Sequence, residues 1–190
     1  FDSNGSGSLT SSANVNHRIR GANVTLSGTS LATSQITAKT GSISITATSG
    51  NVTLGYKLVD AATSVTITAA LGTVNQTAGG SLVAGSLEIT AGAGIGTTDA
   101  IDTTVANFEA SGGTGGVDFA NTGNLTIGGV GAMACVTATN SDVAATGGGK
   151  VTVRGAITDG RGSATLSATE DVTIGANVAT SASGAVSIST

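Results

Sequence analysis

The stretch Ser42-Ile43-Ser44-Ile45-Thr46-Ala47-Thr48-Ser49-Gly50-Asn51-Val52-Thr53-Leu54 decides the fold. Ile43 and Ile45, then Val52 and Leu54, alternate with Ser and Thr, the period-two pattern of short strands that bury one side. Between them Ser49-Gly50-Asn51 is too short and too polar to be anything but a corner. Gly116 to Ile127 and Ser163 to Ile174 read the same way, with corners at Thr122-Gly123-Asn124 and Thr169-Glu170-Asp171.

Working outward, the unit polar, aliphatic, Thr or another polar residue, aliphatic recurs along the chain. Copies stand at 23–26, 42–45, 51–54, 64–67, 86–89, 124–127, 150–153, 171–174 and 185–188. β-Branched residues suit such strands. Gly, Ser and Thr interrupt every window long enough for a helix, and no apolar stripe at 3.6-residue spacing survives. With one strand taken per coil, Val24, Ile43, Val65, Leu87, Val105, Leu125, Val151 and Val172 follow one another at a mean step of about 21 residues, a repeat-architecture period.

Turn chemistry separates stacked parallel coils from antiparallel hairpins. Tight hairpins want Asn-Gly or Asp-Gly between alternating strands. Here Asn4-Gly5 lies at the start and Asp159-Gly160 is the only internal case. The expected fold class is therefore all-β, a parallel β-helix (β-solenoid) of about 21 residues per coil and about 8–9 coils. At the usual interstrand spacing that is a rod about 40 Å long. Residues 1–20 are expected to be a flexible start or partial cap, and 21–190 a single shaft. Ala185 to Thr190 still reads as a strand rather than a cap.

Composition agrees. Among 190 residues there are 30 glycines, no proline, no tryptophan and 2% aromatics, so the core must be thin and aliphatic rather than the aromatic-anchored core of a sandwich. Charged residues make up 9% and mean hydropathy is +0.31, which favours folding over disorder. No apolar run approaches the roughly 18 residues of a membrane span. The chain starts at Phe1, as expected of a processed form or an excised segment with any export signal outside it.

Leu87-Glu88-Ile89-Thr90-Ala91-Gly92-Ala93-Gly94-Ile95-Gly96, followed by Ala100-Ile101-Asp102-Thr103, Phe108-Glu109-Ala110 and Asn124-Leu125-Thr126-Ile127-Gly128-Gly129-Val130, resembles the repeat region of filamentous-haemagglutinin-type large exoproteins. The resemblance covers roughly residues 40 to 190 and is most specific over 87 to 130. It implies a right-handed β-helix, export across the outer membrane and a role in adhesion. The family's secretion module carries Asn-Pro motifs, which a chain without proline lacks, so the segment resembles shaft.

No catalytic, cofactor-binding or metal-binding residues are expected. Gly92 to Gly96 lacks the helix and glycine spacing of a dinucleotide site, and Gly147-Gly148-Gly149-Lys150 lacks the following Ser or Thr of a phosphate loop. Both read as corners. Gly112 to Asp118 approaches a calcium-binding nonapeptide, but its aspartate is one place late and it occurs once; Asp99 and Asp102 are its nearest possible helpers. His17, the single histidine, has no acidic neighbour nearer than Asp2. No basic residue lies between Lys57 and Lys150, where a polysaccharide-cleaving groove would want one.

That gap leaves Asp60, Glu88, Asp99, Asp102, Glu109, Asp118 and Asp142 unopposed, while Arg18, Arg20, Lys39 and Lys57 gather near the start. The pattern suits solvated faces, or a basic end docking on an acidic face of a neighbour. Sequons at Asn4, Asn23, Asn51, Asn75 and Asn124 arise from the strand motif itself. The unpaired Cys135 is expected to be a buried, inert thiol. Outward Thr66 and Thr68 suggest an ordered hydroxyl face of the ice-binding kind, which uneven coil lengths are expected to spoil.

The expected function is that of a structural and adhesive extracellular shaft at a bacterial surface, or alternatively an end-to-end filament subunit. Partners are expected to be further solenoid, or surface receptors or glycans. No nucleic acid and no membrane insertion are expected.

Overall fold

The computed structural model describes residues 7–10, 18–55, 59–133, 135–181 and 183–190, with backbone alone described for 7–10. The chain is all-β, a parallel β-solenoid of about 8 turns with roughly 21 residues per turn. Its only helical piece among the described residues is the single turn Gly113–Gly115. Each coil lays down three short strands, and each strand pairs in parallel with its counterparts one coil below and one above.

Three faces result. Face A begins with Val24–Gly28, Ile43–Ala47 and Ser64–Ala69. Face B begins with Leu31–Thr33, Val52–Leu54 and Thr73–Gln76. Face C begins with Ile19–Gly21, Ile36–Ala38 and Val59–Ala61. Gly7–Thr10 pairs on Val24–Gly28 and so lies on face A, within the segment expected to be a flexible start or partial cap.

Period-two alternation puts one aliphatic set inside on every face. On face A the inward column runs Val24, Ile43, Val65, Leu87, Phe108, Ile127, Val153, Ile174. Beside it runs Leu26, Ile45, Ile67, Ile89, Ala110, Val136, Ile157, Val178. Most of these side chains are completely buried, each worth about 1.5–3 kcal/mol of burial. The sum is what a chain without aromatic anchors has to set against backbone entropy.

The expected column needs one correction. Leu87 stacks on Phe108, not on Val105, which stacks on Ala84 instead. Leu125 begins a separate column with Val151 and Val172. The cause is a slip in alternation. In Leu82–Ala91 and Ile101–Ser111 faces C and A join into one long strand, and the in-out pattern breaks at Gly85-Ser86 and Ala106-Asn107. Val105 and Phe108 therefore both point inward although three residues apart.

Directly above, the corners move. Val117–Asn121 pairs with both the face B strand through Ile95 and the face C strand through Ile101, fusing those two faces. Face A meanwhile divides between Leu125–Ile127 and Cys135–Ala138. Three strands per coil persist, but their corners have rotated around the shaft. Phe108 and Phe119 sit inside this junction with ring centroids 3.9 Å apart, filling the space that the altered corners leave.

Inward polar groups mark corners. Asn121, buried at 4% exposure, accepts from Thr103 Oγ1 at 2.9 Å and Val105 N at 2.8 Å and donates to Val105 O at 3.2 Å. Asp159-Gly160, the one internal hairpin-like pair, turns a corner instead: Asp159 Oδ1 accepts from Arg161 N and Gly162 N, the local bonding of an Asx turn.

In the coil that stacks on Gly7–Thr10 the aliphatics Ile19, Val24, Leu26 and Leu31 are at most 4% exposed, whereas Ile174, Val186 and Ile188 near the C-terminus are 42–48% exposed. Truncation at the aromatic junction tests the packing account. Phe108→Ala is expected to cost about 3–5 kcal/mol in urea unfolding, while Leu71→Ala, at an exposed corner, changes little.

Candidate functional site

The most regular polar arrangement on the shaft joins one coil to the next. Asn23 Oδ1 accepts from Ser42 N at 2.9 Å, Asn51 Oδ1 from Thr73 N at 2.9 Å and Asn75 Oδ1 from Thr97 N at 2.8 Å. Asn124 Oδ1 accepts from Lys150 N at 2.9 Å, Asp142 Oδ1 from Ser163 N at 2.8 Å and Ser163 Oγ from Ala185 N at 3.2 Å. Each acceptor lies one coil before its donor. These amides sit at or near corners, where ladder bonding lapses, and a short Asn, Asp or Ser side chain is the right length to satisfy them. Four of the five sequon asparagines are thus coil joints; Asn4 lies outside the described residues.

The glycine runs are corners stacked on each other. Gly113, at φ +56°, follows the Gly92 corner so closely that a Cβ there would collide with Gly92 O, and a Cβ on Gly115 would collide with Ala93 O. Beside them an open groove of about 230 Å³ is lined by Ile95, Gly96, Thr97, Gly115, Val117, Asp118, Ser141, Asp142 and Ala144.

Partial burial pushes the Asp118 carboxyl above its ordinary 3.8, and the nearby Asp99 pushes it further in the same direction. Asp102 turns to Gln76 instead, accepting from Nε2 at 2.9 Å while its own N donates to Gln76 Oε1 at 3.0 Å. Asp142 is occupied by Ser163. Among the described residues no group of three or more His, Cys, Asp or Glu is placed to hold a metal ion.

A second polar locus was not anticipated. Between Leu125–Ile127 and Cys135–Ala138 the chain inserts a long corner, where the next coil turns from Val151–Val153 to Ala156–Asp159 with two residues. This corner folds back over face A. Val130 N and Gly131 N donate to the two oxygens of Glu109 at 2.9 and 2.8 Å, and Thr90 Oγ1 lies 4.0 Å from Met133 Sδ. Glu109 points outward from its strand yet is 0% exposed, because the corner covers it. Glu88, its in-register neighbour, lies against Gly131, where a Cβ would meet the carboxylate at 2.6 Å. The signal was the long step from Leu125 to Val151.

Cys135 closes that corner. It is half-buried rather than buried, a correction to the expectation, because it faces outward on its strand. Burial raises its thiol pKa and the Glu109 charge raises it further, so the thiolate is disfavoured at neutral pH. His17, Tyr56 and Lys57 lie outside the described residues. Lys150 Nζ pairs with Asp171 at 3.4 Å across successive coils.

Two measurements check these electrostatics. Cys135 is expected to alkylate more slowly at neutral pH than a free cysteine, and Glu109→Gln to speed it; equal rates in both variants would remove Glu109 from the account. For Asp118 the folded state holds its proton to higher pH than the unfolded chain does. Its contribution to stability is therefore present at acid pH and lost as pH rises through the window above 3.8. Asp118→Asn is expected to stabilise the protein slightly at neutral pH and not in acid, as read by thermal melts at two pH values.

Comparison with protein-family models, with curated proteins and with solved structures finds no match to this chain, so the solenoid and its coil joints are the ground on which function is inferred.

Proposed function

We propose that this chain is a shaft segment of an extracellular, filamentous-haemagglutinin-type bacterial surface protein, structural and adhesive in role and without catalysis. The observation that carries the reading is the unbroken inward ladder from Val24 to Ile174, supported at the corners by side chains committed to joining coils. Parallel coils bonded at every step resist bending and stretching together, which suits reach and display. Four of the carboxylates are spent on structure: Glu109 on its corner, Asp102 on Gln76, Asp142 on Ser163 and Asp159 on its own turn. The resemblance over residues 87–130 supplies the extracellular and adhesive part of the proposal, with surface receptors or glycans as partners.

A second reading, a filament subunit polymerising end to end, is favoured by the exposed aliphatics of the last coil. Antibody raised against residues 1–190 is expected to decorate fibres on intact producing cells. Labelling confined to permeabilised cells would overturn the extracellular shaft. Electron micrographs of the purified chain separate the two readings: isolated rods about 40 Å long support the shaft, continuous filaments the subunit.

A further inference from the structure

The long corner folded over face A is tied down by one side chain. At its near end Gly128 N donates to Phe108 O at 2.9 Å, and at its far end the chain rejoins the ladder in Cys135–Ala138. Between those points, among the described residues, the backbone bonds to the shaft are those of Val130 N and Gly131 N to the two carboxylate oxygens of Glu109. Apolar packing does not replace them. Gly129, Gly131 and Ala132 are exposed, Val130 and Met133 are half-buried, and none of them belongs to the core. Gly128 and Gly129, at φ +103° and +82°, start the corner in a conformation that glycine takes without strain, and open space surrounds Gly129.

The tie is a charged one. An ionised carboxylate offers both oxygens as acceptors, and here each meets one N–H. Protonated, the same group keeps one good acceptor and turns the other into a hydroxyl whose proton competes with the N–H in front of it. The closed corner therefore selects the ionised form, and uptake of a proton shifts the corner towards release.

No neighbouring group supplies a second tie. Residues 128–133 carry no ionisable side chain. Glu88 lies in register one coil below Glu109, and Cys135 lies one coil above, within reach of its charge. Arg154, on the corner above, is exposed. Of the acids further along the packed strands, Asp102 is bonded to Gln76 and Asp118 lines the groove.

We propose that residues 128–133 are an acid-released lid: protonation of Glu109 frees the corner from face A and uncovers Glu88, Glu109 and the Thr90 hydroxyl that Met133 now lies against. At neutral pH the shaft keeps this pair of stacked carboxyls under the corner, and in acid it presents them beside the hydroxyl row. The inference goes beyond the shaft reading and does not depend on where the shaft is displayed.

Amide exchange followed by NMR on the full chain tests the lid. Once the intrinsic effect of pH is divided out, exchange at Val130 and Gly131 is expected to speed up about tenfold or more as pH falls through the carboxylate range, while amides of the core ladder stay protected. Glu109→Gln puts an amide N–H₂ where an acceptor is needed, so it is expected to give the fast exchange already at neutral pH and no further rise in acid. Glu88→Gln removes the neighbouring charge and leaves both bonds in place, and is expected to keep the two amides protected at neutral pH.

Amides that stay protected in acid while the shaft remains folded would overturn the lid. So would equal protection in Glu109→Gln, or loss of lid and ladder protection at one and the same pH, since the corner would then have no opening of its own. Should Glu109→Gln fail to fold, the titration of the unaltered chain decides by itself. None of these outcomes bears on surface labelling of producing cells, so failure here is distinct from failure of the shaft reading.

Discussion

Everything in this molecule depends on the parallel backbone ladder between successive coils. A parallel strand uses its N–H and C=O groups on both edges, so each coil satisfies the coil below and waits on the coil above. That constraint sets the axial spacing, and the spacing brings like residues into contact along the shaft. Ile43 on Val24, Ile45 on Leu26 and Ile67 on Ile45 are consequences of bonding that would hold for any side chains. The sequence has only to keep those positions aliphatic and the corners small.

Corners absorb what the ladder will not. Steps between coils vary, yet the strands remain in register because Gly, Ser and Asn corners lengthen or shorten without disturbing them. On face A the hydroxyl positions Ser27, Thr46, Thr68, Thr90, Ser111, Thr137 and Thr158 stay in register, while the neighbouring row through Thr66 passes to Glu88 and Glu109, so the two rows do not form one paired hydroxyl face. The most irregular corner, folded over Glu109, changes the surface of the shaft while the core beneath runs on through Phe108 and Ile127.

The acidic middle of the chain takes on a structural meaning. A carboxylate on an outward strand position is ordinarily solvated, and its burial is costly without donors. Glu109 is buried because two backbone amides of the folded-back corner meet it. Asp142 and Asp159 likewise bond amides that corners leave free. The same kind of bond, made by Asn as far as Asn124 and by Asp and Ser from Asp142 onward, lets the shaft turn while meeting N–H groups that the corners leave free.

Much of this was legible in the residues themselves. Alternating aliphatics in four-residue units, separated by polar corners and lacking hairpin turns, determined a parallel solenoid and its mean coil length, because period and turn chemistry are local properties. Which residue stacks on which was a tertiary matter at the junction. Val105 and Phe108 both alternate acceptably, and only pairing with Ala84 and Leu87 distinguishes them. The exchange of faces at Val117–Asn121, the corner over Glu109 and the half-exposure of Cys135 were likewise decided in three dimensions. Each depends on a contact with a neighbouring coil some twenty residues away, and a local pattern carries no record of which neighbour the ladder will supply.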